Sequence, residues 1–139
     1  MEALSRWVHE KDTYRLEDAL RSVRGHADFV KAGAIGVFVG VVRGLDETRG
    51  KVAGLLLEAY VEKADEVLDG IRRDLLMRKG VVDVQLHHIV GEFVPGEDLV
   101  YVLVAGSHRQ EVFQALREAV ERYKREVPIF KKETLATGE

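Results

Sequence analysis

The sequence contains no cysteine. Disulfides, thiolate nucleophiles and thiolate metal sites are thereby excluded, and any sulfur chemistry must use sulfur carried by another molecule. Also missing is a run of about 18 apolar residues, the length a helical membrane span requires. Met1 to Glu10 mixes charged with apolar residues and shows no leader pattern. No membrane association and a cytoplasmic setting are expected. Nor is there an excess of positive charge: the net charge is −3, which does not supply the broad basic field of nucleic-acid binding. No H-E-x-x-H, Walker loop or G-x-S-x-G elbow occurs. The adjacent His87 and His88 point to opposite faces of any regular strand, so no metal site and no bound cofactor are expected.

What is present suits a single domain over residues 1–139. Of its residues 46% are hydrophobic, enough for a core, and 32% are charged, which is typical of a water-exposed surface. No repeat, linker or low-complexity segment interrupts it. A short strand is expected around Trp7 and Val8, followed by an amphipathic helix carrying Leu16, Ala19, Leu20 and Val23 and ending near Gly25. The β-branched, glycine-punctuated run from Gly33 to Gly44 predicts a buried strand in which glycines permit close backbone approach, with Arg43 at its far end. Residues 45–51 are polar and predict a loop, Val52 to Val61 a second strand, and Glu62 to about Lys79 a helix stopped by Gly80.

Val82, Val84, Leu86, His88 and Val90 alternate with Asp83, Gln85 and His87, the period-two pattern of a half-buried strand with one wet face. On that pattern His88 is a hydrogen-bonded core residue. A turn at Pro95-Gly96-Glu97 leads to a strand from Leu99 to Ala105. Ser107 and Gln110 then have the spacing of a capping box opening a helix at about His108. That helix buries Val112, Leu116, Val120, Tyr123 and Val127 and stops at Pro128. Lys131 and Lys132 follow on an extended segment folding back toward the body. The order β-α-β-β-α-β-β-α plus a basic tail favours an α+β fold with a mixed, mostly antiparallel sheet and packed helices.

Basic residues collect late in the chain. The turn into Ser107-His108-Arg109 offers free backbone N–H groups and two basic side chains to a phosphate or carboxylate, although a capped helix start exposed to water has the same local pattern. Lys124 lies fifteen residues beyond Arg109, nearly four helical turns and about 22 Å along the axis. One small ligand cannot touch both unless a second chain, an extended substrate or the returning tail bridges the gap. Glu58 beside Tyr60 fits either a buried acid orienting the basic cluster or an edge carboxylate in water.

Five blocks occur in one order over residues 33–133. They are Gly33-Ala34 with Phe38, Gly40 and Val42-Arg43; Leu57-Glu58-x-Tyr60; His88-x-x-Gly91 with Pro95-Gly96-Glu97; His108-Arg109-x-x-x-Phe113-x-Ala115; and Tyr123-Lys124-x-x-x-Pro128-x-x-Lys131-Lys132-Glu133. Together they resemble the large, catalytic subunit of molybdopterin synthase. Phe130 stands where that family usually has tryptophan. The resemblance implies an α/β hammerhead-like fold and a sulfurtransferase of molybdenum cofactor biosynthesis that converts cyclic pyranopterin monophosphate into molybdopterin. The implied sulfur donor is the C-terminal Gly-Gly thiocarboxylate of a small ubiquitin-like subunit, and the implied assembly is a homodimer of large subunits within a heterotetramer. Carried over position by position, Lys124 and Lys131 are the expected catalytic lysines. Phe38, Arg43, His108, Arg109, Lys132 and Glu133 are the expected substrate-binding residues. The competing reading is a non-catalytic dimeric module that holds a phosphorylated ligand or an acidic protein tail.

Overall fold

The computed structural model describes residues 5–138; residues 1–4 and 139, the ends of the expected domain, lie outside the described residues. Strand β1 (Val8–Glu10) leads to helix α1 (Leu16–Arg24) and a single 3-10 turn (Phe29–Lys31). Strands β2 (Ala34–Val41), β3 (Leu45–Asp46) and β4 (Gly50–Ala59) precede helix α2 (Val61–Leu76). Strands β5 (Val81–Phe93) and β6 (Asp98–Gly106), helix α3 (Arg109–Glu126) and strand β7 (Ile129–Leu135) complete the chain. The sheet runs β2-β6-β5-β4-β3, with β1 added to β5 and β7 to β4. Every pairing is antiparallel except β1 with β5, so the α+β, mostly antiparallel expectation holds.

Strand alternation divides the core in two. Val100, Val102 and Val104 of β6 and Val84 and Leu86 of β5 face α2 and α3, which contribute Leu68, Ile71, Leu75, Val112, Ala115 and Ala119. Tyr101, Leu103 and Ala105 turn the other way, toward Ala19 and Val23 of α1. At Gly36 an added Cβ would stand 2.7 Å from a Val112 methyl; the bare strand lets α3 lie directly on β2, as the glycine pattern predicts.

Strand β5 holds the sheet together. One edge pairs with β6; the other pairs first with β1 at residues 88–90 and then with β4 at 91–93. Gly91, at φ 137°, sits at this handover, where a Cβ would stand 3.2 Å from Lys11 Cβ. Beyond it β4 carries β7 back across the body, so the basic tail is tied into the sheet.

Four expectations are corrected. The predicted wet face of β5 is covered: Asp83, Gln85 and His87 are buried. They are satisfied by one another and by neighbours that close over them. Asp83 accepts from Arg72 (3.2 Å) and Gln85 (3.0 Å), Gln85 also donates to Ser22 (3.0 Å), and His87 bonds Gln85 (2.8 Å) and His9 (2.9 Å). Tyr14 stacks on both imidazoles. Alternation alone cannot distinguish water from such partners. Second, β2 is an edge strand, with Val37 and Val41 partly exposed. Third, the loop at 45–51 contains β3 and the start of β4, a short hairpin with Gly50 at φ 92°. Fourth, α3 has His108 as its N-cap and no side-chain capping bond. The Ser107 amide instead donates to the Gly80 carbonyl at 2.8 Å, which keeps Ser107 outside the helix and leaves the predicted box one position out of register. The buried stripe of α3 also leans toward Ala115 and Ala119, with Leu116 and Val120 half-buried beside it, because alanines let the helix settle closest to the sheet.

Candidate functional site

A cleft of about 680 Å³ opens where the C-terminal end of α3 meets the far end of β2, the β3–β4 hairpin and β7. Each element delivers its side chain for a local reason. Strand β2 runs on through Gly40 to Val42, whose backbone exchanges hydrogen bonds with the turn after β5, and this places Arg43 at the rim. Along α3 the Tyr123 ring goes into the core and Lys124, the next residue, points into the cleft. Pro128 ends the helix, and β7 pairs Lys131 with Leu57 and Glu133 with Leu55, so these two residues share one strand face, toward the cleft.

Phe38, Arg43, Lys124, Lys131 and Glu133 therefore line one cavity. Lys124 Nζ lies 5.8 Å from the centroid of the Phe38 ring, a cation–π contact that steers the ammonium group. Lys132 falls on the opposite face of β7 and does not line the cleft. His108 and Arg109 do not line it either. They lie exposed at the N-terminal end of α3, about 22 Å from Lys124 at 1.5 Å per residue. His108 Nδ1 lies 4.0 Å from a carboxylate oxygen of Glu111. One chain thus brings together five of the eight residues expected at the site. Glu58 is exposed and does not line the cleft.

Two groups in the cavity wall are not apparent from the sequence pattern as site residues. His88, on the apolar face of β5, is buried as its pattern predicts, and it forms part of the cleft floor. Its Nδ1 lies 3.1 Å from the Ile89 carbonyl oxygen, and burial lowers its pKa to about 4, so the ring is neutral near pH 7. Tyr123 packs edge-on against it, and burial raises that phenol's pKa to about 12. Tyr123 sits next to Lys124 in the same motif, and that adjacency was the available signal. The other group is the hairpin, whose Leu45, Asp46 and Glu47 wall the cleft. Its signal was a polar stretch ending in glycine between two strands.

The charges are unevenly matched. Among the described residues Arg43, Lys124 and Lys131 form no ion pair, while Asp46 and Glu133 are both held by Arg49, at 2.9 and 2.7 Å. The cleft thus presents three free cations beside an aromatic ring and a neutral imidazole, an arrangement that can hold an anion and stabilise charge developing on it. Among the described residues no group of three or more His, Asp or Glu is placed to hold a metal ion. No described helix is long and apolar enough to cross a membrane.

Comparison with known proteins places this geometry in context. A family profile described as MoaE protein matches residues 9–126. The molybdopterin synthase catalytic subunit of Pyrococcus abyssi is 35% identical over 133 residues, covering 95% of this chain and 86% of that protein. A probable molybdopterin synthase of Haloferax volcanii is 41% identical over 111 residues, 79% of this chain, but the match spans only 42% of the longer haloarchaeal protein. Among solved structures, a MoaE protein from Burkholderia ambifaria superposes with a TM-score of 0.79 at 30% identity, over 96% of this chain and 86% of that one. The molybdopterin synthase of Staphylococcus aureus shares the fold, with a TM-score of 0.81 at 24% identity, over 99% of this chain and 96% of that one.

Proposed function

The chain belongs to the MoaE protein family, and we propose that it is the catalytic subunit of a molybdopterin synthase. It transfers sulfur from the C-terminal thiocarboxylate of a small ubiquitin-like subunit to cyclic pyranopterin monophosphate. The observation that carries this reading is the cleft with Lys124 and Lys131 unpaired beside Phe38 and Arg43. The lack of cysteine agrees with it. A thiocarboxylate brings its own nucleophilic sulfur, so the chain needs only to bind, orient and stabilise charge.

In this mechanism Lys124 and Lys131 pair with the incoming thiocarboxylate, whose sulfur displaces a C–O bond of the pterin to leave an acyl thioester. Water then cleaves the acyl–sulfur bond, and the lysines stabilise the oxyanion of that tetrahedral intermediate as the small subunit leaves as a carboxylate. An ammonium group also serves as the local proton source for the product thiol. Arg43 binds the substrate's anionic part from the rim, and Phe38 steers Lys124. Lys132 and Glu133 follow Lys131 on β7, and Glu133 acts within the cleft. His108 and Arg109 complete the anion site from a second copy of the chain. Their distance from Lys124 along α3 supports this arrangement, because a dimer is the simplest way to bring both ends of that helix to one substrate. The working assembly is a homodimer flanked by two small subunits, each chain acting as one domain, in the cytoplasm and without a cofactor of its own.

Reconstitution tests this directly. The purified chain, mixed with thiocarboxylated small subunit and cyclic pyranopterin monophosphate, is expected to form molybdopterin. Tight binding of both without product, under conditions where an authentic pair turns over, would leave the protein a binding module and not an enzyme.

A further inference from the structure

Arg49 is absent from the five sequence blocks and from the lining of the cleft, yet among the described residues it is the cation that pairs with the cleft's Asp46 and Glu133. Its guanidinium reaches Asp46 through Nε (3.2 Å) and Nη2 (2.9 Å), and the same Nη2 donates to Glu133 at 2.7 Å. The hairpin around it is built to hold this pose. Asp46 Oδ1 accepts the Thr48 amide, the Thr48 hydroxyl and the Arg49 amide at 2.9, 2.9 and 3.0 Å, and Gly50 closes the turn at φ 92°. These bonds hold the Asp46 carboxyl well below its usual range, with the Arg49 side chain the largest cause.

What Arg49 withholds matters as much as what it binds. Lys131 and Glu133 lie two residues apart on one face of β7, about 6.6 Å along the strand. That spacing lets a lysine and a glutamate pair across the cleft face. In the structure they do not: Glu133 is turned to Arg49, and Lys131 forms no ion pair among the described residues. Three of the cleft's lining residues are acidic, Asp46, Glu47 and Glu133, and Arg49 occupies two of them. The geometry points to Arg49 as a positioning residue that keeps Lys131 free for the sulfur donor by holding Glu133 and Asp46. This rests on the proposed role of Lys131 in sulfur transfer. A clasp that only stabilised the hairpin would contribute little, because water screens an ion pair in which Arg49 is half exposed.

The test compares wild type with Arg49→Ala, Arg49→Lys and the double variant Arg49→Ala/Glu133→Gln. The first readout needs no catalysis: the rate at which Lys131 is acylated by acetic anhydride, followed by mass spectrometry, with exposed Lys63 as the internal reference. In Arg49→Ala the freed Glu133 pairs with Lys131, and acylation there should slow about fivefold relative to Lys63, with the melting temperature nearly unchanged. Arg49→Lys, able to hold one carboxylate at a time, should fall between. Arg49→Ala/Glu133→Gln should restore the Lys131 rate, because a neutral amide cannot hold an ammonium group as a carboxylate does. In sulfur transfer, Arg49→Ala should lower kcat/KM about five- to tenfold, with partial recovery in the double variant. An unchanged Lys131 rate in Arg49→Ala, or a slowed rate that the double variant leaves slow, overturns the inference. If wild type transfers no sulfur, the sulfur-transfer reading fails, while the acylation rates still decide whether Arg49 frees Lys131.

Discussion

Two polar regions of this protein treat their charges in opposite ways. Along β5, Arg72, Asp83, Gln85, His87 and His9 form one continuous chain of hydrogen bonds, with each side chain bonded to the next. In the cleft at the end of α3, Arg43, Lys124 and Lys131 form no ion pair among the described residues, although Asp46 and Glu133 line the same cavity. Burial explains the first arrangement, because a buried polar group without a partner costs a few kcal/mol. The second sits in an open cleft where water solvates the ammonium groups, so free cations cost little in stability and remain available to a ligand. Matched polar groups hold this fold together; unmatched ones line the cleft proposed as its site of action.

Substitutions should therefore separate the two regions cleanly. The largest effect is expected from Lys131→Ala and Lys124→Ala, each lowering the rate of sulfur transfer at least 100-fold while the urea midpoint stays within error of wild type. Full activity in both folded variants would remove the lysines from the mechanism. Asp83→Ala should do the reverse. It strips Arg72 and Gln85 of a shared acceptor that is 1% exposed and should cost about 3 kcal/mol in urea unfolding. Transfer by the remaining folded protein should be close to normal. A loss of activity in folded Asp83→Ala larger than in Lys124→Ala would erase the distinction.

Acid should sharpen the contrast further. Burial lowers the pKa of His9 to about 4, of His87 to about 3 and of His88 to about 4. All three are neutral in the fold, and in the unfolded chain they take up protons below about pH 6.5. Between those limits the unfolded state binds more protons, so their contribution is complete above about pH 6.5 and is lost as pH falls toward 4. Urea unfolding should show stability falling by on the order of 5 kcal/mol from pH 7 to pH 5, a little under 2 kcal/mol for each ring. Carboxylates held low by their partners, such as Asp46 and Glu97, lose their contribution only at lower pH, so this window isolates the histidines. A flat profile from pH 7 to pH 5 would mean that these rings take up protons in the folded protein as readily as in the unfolded chain.

The same contrast explains what the sequence could and could not disclose. Elements governed by local rules are legible in it. The apolar stripe of α3 and its stop at Pro128 follow from periodicity and backbone geometry. The return of Lys131 on an extended strand follows from the residue that ends the helix. Gly36 likewise announces a close approach before the helix above it is known. Features set by distant partners are not legible. The alternation of Asp83, Gln85 and His87 reads as a wet face, and only the packing of Tyr14 and α1 over it turns it into a buried chain. Ser107 has the spacing of a cap, but its amide goes to Gly80 on another segment. In the site, matched sequence blocks bring out Lys124, Lys131, Phe38 and Arg43. Arg49 lies outside those blocks, because its role depends on a hairpin and a strand 84 residues apart meeting at one guanidinium.

Whether the two ends of α3 serve one reaction can be measured by mixing two inactive variants. Lys131→Ala lacks the lysine proposed to meet the sulfur donor, and Arg109→Ala lacks the arginine proposed to bind the anion from the other end of α3. When each cleft draws its lysines from one chain and His108-Arg109 from the other, half of randomly reassembled dimers hold one intact cleft. The mixture should then recover about a quarter of wild-type sulfur transfer. Activity that stays at the level of the separate variants after chain exchange, verified by native mass spectrometry, would contradict a cleft shared across the dimer.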